Sequence, residues 1–125
     1  MSDFKHVDLT HMIIGCAMKV HRILGPGFQE IIYKRCLVIE LEKSGLHCTC
    51  EIEKEILYEG ANVGSRRLDL LVDDEVIVEL KAVTAIEPLF RSQIINYLKV
   101  FKIEVGLLLN FGGTSLHFQR FVNTP

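Results

Sequence analysis

The hexapeptide Val76-Ile77-Val78-Glu79-Leu80-Lys81 sets two charged residues in a run whose other members suit the middle of a sheet. Burying a charge is costly unless it is paired or bound to metal, so Glu79 and Lys81 make this strand more than scaffold. Two residues apart on an extended chain, they project from one face. On the segment before it, Arg67, Asp69 and Leu71 share one side and Leu68, Leu70 and Val72 the other. The acidic turn Asp73-Asp74-Glu75 joins the two segments. A hairpin pivoting about Asp74 brings Asp69 opposite Glu79 and Arg67 opposite Lys81, whereas a pivot shifted by half a residue would put the two carboxylates on opposite faces.

Two carboxylates at cross-strand distance raise each other's proton affinity unless a cation lies between them. Their hard oxygens suit Mg²⁺ or Mn²⁺, water completes the coordination, and such a water can attack a phosphodiester. Lys81 would then stand beside the attacked phosphate, positioning or deprotonating the water and offsetting negative charge. The spacing fits an exposed salt-bridge ladder on a half-solvated sheet equally well.

Around this pair the chain reads as an alternation of helices and strands. Leu9, Met12, Ile13, Cys16, Ala17, Val20, Ile23 and Leu24 recur on one helical face, and the helix should stop at Gly25-Pro26-Gly27. A second helix is expected from about Phe28 to Ser44, burying Phe28, Ile31, Ile32, Leu37 and Leu41, with Glu30, Tyr33 and Leu37 sharing one side. From Leu46 the period becomes two. Cys48, Cys50 and Ile52 alternate with His47, Thr49, Glu51 and Glu53 up to the turn Glu59-Gly60-Ala61-Asn62. A strand over roughly Val63 to Val72 precedes the hexapeptide. A helix from about Pro88 to Phe101, a strand Val105 to Phe111 and an edge strand Leu116 to Val122 follow it.

Length and composition fit one ordered domain over residues 1–125: 49% of residues are hydrophobic, 24% charged, and no low-complexity tract occurs. A net charge of −2 and a pI near 6.2 argue against a protein that coats nucleic acid non-specifically. No apolar run is long enough to span a membrane and no signal core opens the chain, so a cytoplasmic protein without membrane contact is expected. The four cysteines lack paired zinc spacing and read as buried free thiols. His21 reads as a structural histidine bracing the glycine turn, and Arg66, Arg67 and Arg91 as surface arginines more than phosphate contacts.

Asp69 followed by Glu79-Leu80-Lys81 resembles the D…(D/E)xK signature of the PD-(D/E)xK nuclease superfamily, with Leu68 in the place of the proline. Gly27-Phe28-Gln29-Glu30-Ile31-Ile32-Tyr33 is similar to the motif of the GxxExxY family, a prokaryotic group within that superfamily. The likeness extends over nearly the whole chain, through Leu24-Gly25-Pro26-Gly27, Leu68 to Val72, Val78 to Lys81, Gln93 with Tyr97, and Gly106 to Phe111. It implies a restriction-endonuclease-like α/β fold, a central mixed sheet flanked by helices. It also implies a Mg²⁺- or Mn²⁺-dependent nuclease acting on DNA in preference to RNA. Asp69, Glu79 and Glu30 would hold the metal, Glu30 directly or through water. With Lys81 they would form the catalytic group, supported by Gln93, Tyr33 and Tyr97. The competing expectation is a catalytically silent module with the same fold, binding nucleic acid or a protein partner. A homodimer is compatible with either.

Overall fold

The computed structural model describes residues 6–123. In chain order the elements are α1 (Val7–Leu24), α2 (Glu30–Lys43), β1 (Cys48–Tyr58), β2 (Ala61–Val72), β3 (Val76–Lys81), α3 (Pro88–Phe101), β4 (Val105–Asn110) and β5 (His117–Val122). The strands form one sheet in the order β1-β2-β3-β4-β5. All neighbours are antiparallel except β3 and β4, which run parallel because α3 carries the chain back between them. Both are buried along nearly their whole length, as the continuous apolar runs require.

The sheet's two faces are covered differently. Leu70, Val72, Val76, Val78, Leu80, Leu107 and Leu109 pack against Ile13, Ala17 and Val20 of α1 and Tyr33, Leu37 and Leu41 of α2. On the other face Leu68, Leu71 and Ile77 meet Leu98 of α3, with Ile52, Tyr97 and Phe101 around them. Gly106 allows α3 this approach, since a Cβ there would stand 3.1 Å from Ile94 Cδ1 and 3.2 Å from Leu98 Cδ2.

Several expectations need correction. Helix α2 begins at Glu30, and Phe28 and Ile31 are exposed at 47% and 38% while Tyr33 is fully buried. The helix is rotated because the Tyr33 ring, which can satisfy its hydroxyl while buried, takes the inward position. On α1, Met12 and Ile23 are exposed and the inward row is Thr10, Ile13, Ile14, Ala17, Val20 and His21. The cysteines are free, but Cys50 is exposed and the other three are only half-buried.

The strict alternation expected of β1 also fails. Cys48 packs on the α1–α2 side and Ile52 on the α3 side, because Glu51 adopts φ 56 in mid-strand. The register is kept across this point, with Cys50 opposite Leu70 and Ile52 opposite Leu68. Both strands therefore exchange faces together at Glu51 and the facing Asp69. Beyond that crossing every residue from Glu53 to Arg67 is exposed except half-buried Ile56, so the hairpin continues as a two-stranded arm. Its tip is the two-residue turn Glu59-Gly60, with φ 49 and 85, the left-handed geometry that matches strand twist.

Candidate metal and phosphate site

The hairpin about Asp74 has the expected register: Val72 faces Val76, Leu71 faces Ile77 and Leu70 faces Val78. The regular ladder ends there. At the next step the backbones stop pairing with each other and pair with carboxylates instead. The Asp69 N–H donates to Glu79 Oε1 at 3.2 Å, and the Leu80 N–H donates to Asp69 Oδ2 at 3.3 Å. The strands thus part where the two acids sit, and the acids fill the gap. Arg67, expected opposite Lys81, lies beyond the crossing. It faces Glu53 on β1 and pairs with Glu51 at 2.8 Å.

Glu79 is only 7% exposed. Burial above all, and then the charge of Asp69, push its carboxyl up to about 9. Lys81 opposes this only weakly; its Nζ lies 4.5 Å from the centroid of the Phe90 ring on α3. Glu30, the first residue of α2, is raised by partial burial; Lys81 lowers it and Asp69 raises it, so it belongs to the same electrostatic group. Tyr97 is raised by burial and then by Glu79, with Asp69 adding to it. Gln93, one turn earlier on α3, is half-buried.

The motif residues of α2 have a mechanical connection to this group. The Tyr33 hydroxyl donates to the Gly25 carbonyl and accepts the Phe28 N–H at 3.2 Å, so it fixes the loop that launches α2 and with it Glu30. Its ring stacks on Phe111 at 4.6 Å between centroids, and the Phe111 N–H donates to the Lys81 carbonyl at 2.8 Å. His21, buried, holds a different turn from the one expected: Nε2 lies 2.9 Å from the Gly113 carbonyl oxygen.

Asn110 went unnoticed as a positioning residue. Its Oδ1 accepts from the Val83 and Gly112 N–H groups and its Nδ2 donates to the Val83 carbonyl, each at 3.0 Å. A polar residue ending the apolar run Val105 to Leu109 was the available signal.

Among the described residues no three His, Cys, Asp or Glu side chains converge as a ready-made metal cage. The donor set still fits a hard divalent cation. Magnesium is commonly held by one or two carboxylates, with water and substrate oxygens supplying the rest. A buried carboxyl displaced this far upward beside a second carboxylate is relieved when a cation replaces its proton.

A model of the PD-(D/E)XK nuclease superfamily matches residues 7–121. Among curated proteins none matches the chain. Among solved structures, the crystal structure of SSO0001 superposes with a TM-score of 0.60 at 19% identity, covering 77% of this chain and 51% of that one. The chain thus spans about half the length of that protein, and the likeness is one of fold: the restriction-endonuclease-like mixed sheet flanked by helices.

Proposed function

The chain belongs to the PD-(D/E)XK nuclease superfamily, and on that premise we propose that it is a Mg²⁺- or Mn²⁺-dependent phosphodiesterase acting on DNA. The single observation carrying this reading is the parting of β2 and β3 around Asp69 and Glu79, two carboxyls held at one point with Lys81 beside them. Asp69 and Glu79 would hold the ion, with Glu30 reaching it directly or through water. When bound, the ion activates water and neutralises phosphate charge.

The chain's own groups do the rest. The opposing backbone N–H groups fix one oxygen of each carboxyl and leave the second oxygen of each for the ion. As an ammonium Lys81 would orient the attacking water and offset charge on the phosphate; as the free amine it would take that water's proton and become the cation that offsets it. Tyr33, through Phe111, fixes the backbone at Lys81 and the start of α2, while Tyr97 and Gln93 line the α3 side.

The linkage from Gly25 and Phe28 through Tyr33 and Phe111 to Lys81 ties the Gly27-to-Tyr33 motif to the site, and on that ground we favour the GxxExxY group. We read the chain as one domain over residues 1–125, working in the cytoplasm, with a homodimer or a protein partner compatible with that role. No helix of the described residues is long and apolar enough to cross a membrane.

The test is metal-dependent cleavage of single- and double-stranded DNA and RNA by wild type, Asp69→Ala and Lys81→Ala purified in parallel. Wild type alone should cleave. Equal cleavage by all three would expose a contaminant, and metal binding without cleavage of any substrate would favour a silent binding module.

A further inference from the structure

The arm beyond Glu51 and Asp69 carries its charges unevenly. On one face Glu53 stands opposite Arg67, an unlike pair, and Arg67 and Lys34 both reach Glu51. The other face continues from Ile52 and Leu68, which pack toward α3, and there Lys54 stands directly opposite Arg66. Like charges facing each other across a strand pair repel. The flanking pairs on that face, Ile52 with Leu68 and Ile56 with Gly64, bring no acid. Among the described residues neither cation forms an ion pair, and Arg66 donates only a 3.5 Å contact to the neighbouring Ser65 carbonyl.

This face is also the one that leads to the carboxylates. Glu79 follows Ile77, which packs toward α3, and Arg66 acts electrostatically on Tyr97, which in turn feels Glu79 and Asp69. At about 3.3 Å per residue, Arg66 lies roughly 10 Å along β2 from Asp69, a few nucleotides' reach along a strand. A two-stranded ribbon is moreover an element that a DNA groove admits.

We propose that Lys54 and Arg66, on the α3 face of the β1–β2 arm, form a phosphate-binding subsite for the nucleic-acid strand flanking the cleaved bond. The anion absent from the protein is supplied by the substrate backbone. The pair thus commits the arm to guiding substrate toward Asp69 and Glu79. The subsite rests on the nuclease reading and deepens it.

The experiment is binding of fluorescein-labelled single- and double-stranded DNA, followed by anisotropy over a salt series with Ca²⁺ present, with the DNA checked for cleavage. The proteins are wild type, Lys54→Gln/Arg66→Gln and, as the opposite-face control, Arg67→Gln. Calorimetry with Mn²⁺ verifies that each variant keeps its metal site. The double variant should bind on the order of tenfold more weakly at low salt, with a log–log salt slope shallower by about two, roughly one per lost phosphate contact. Arg67→Gln should change both less. A double variant indistinguishable from a wild type that binds would overturn the subsite and leave the nuclease reading standing. An equal loss in Arg67→Gln would also overturn it, showing only diffuse charge. A wild type that binds Mn²⁺ but no nucleic acid would sink both readings.

Discussion

The two faces of the sheet divide the work of the molecule. The α1–α2 face is wholly apolar at its centre, with Leu37, Leu41, Leu80, Leu107 and Leu109 all at 0% exposure. The α3 face has a smaller apolar patch around Leu71, Ile77 and Leu98, and the remainder of its length is given to Glu79, Lys81 and Tyr97. Glu79 is buried beside a second carboxyl, a cost that the apolar face does not carry, so the face that holds the chemistry contributes less to stability. The lesson is that β3 serves both faces at once: Val76, Val78 and Leu80 anchor it while Glu79 is left under strain.

Apart from Glu30, which the first turn of α2 brings to the group, changes on the α3 face should therefore register in catalysis and changes on the α1–α2 face in stability. The largest expected effect is on Lys81. Lys81→Ala should lower the cleavage rate by roughly 10²–10⁴-fold, the usual worth of a positioned proton-handling group, with metal affinity and melting temperature kept. Lys81→Arg should recover only part of it, since a guanidinium holds its proton. A melting temperature lowered as much as the rate would break the division of labour.

Next comes the core. Leu37→Ala should cost about 2–5 kcal/mol in urea unfolding, as a fully buried leucine leaves a cavity. Leu71→Ala, on the thinner face and 9% exposed, should fall at or below the lower end of that range. Equal losses would mean that both faces hold the fold alike.

pH should separate the two faces as well. The folded carboxyl of Glu79, at about 9, lies above its unfolded value, so its stabilising share is full below the unfolded pKa and is lost as pH rises through the window from there to about 9. In EDTA, wild type should lose melting temperature between pH 5 and 9, Glu79→Gln should lose less, and added Mn²⁺ should flatten the wild-type curve only. A slope unchanged by Glu79→Gln would locate the titration elsewhere.

The smallest effect concerns the crossing point. Glu51→Gly relieves a left-handed backbone but loses the contacts to Arg67 and Lys34, leaving stability close to that of wild type. Glu51→Val should cost about 1–3 kcal/mol, because a β-branched residue resists that backbone. If both behave alike in urea unfolding, the exchange of faces is not held at residue 51.

Much of this is legible in the sequence. The β3 and α3 boundaries and the pivot about Asp74 follow from local patterns: an apolar hexapeptide, a proline at a helix start, an acidic turn. What escaped had no local mark. A glycine at position 51 would have flagged the left-handed residue; a glutamate does not, because the conformation is imposed by neighbouring strands. Parity arguments assume an unbroken pleat, so Arg67 was misplaced and the Lys54–Arg66 pairing could not be seen. The inward turn of Tyr33 was likewise hidden, since Phe28 and Ile31 look more apolar and only the Gly25 and Phe111 partners decide between them.

Gly112 and Asn110 bear on the site in one further way. A Cβ on Gly112 would stand 2.2 Å from the Val83 carbonyl oxygen, and the Asn110 amide holds Val83 from both sides while Phe111 takes the Lys81 carbonyl. The main chain following the lysine is thus immobilised when the protein folds, not when substrate arrives. Ordering one residue's backbone costs about 1–2 kcal/mol of entropy, so a lysine on a loose segment would meet that penalty in every turnover. Here only its side-chain torsions remain to be ordered, and Gly112→Ala, by pushing Val83 away, would return the missing freedom to the step that can least absorb it.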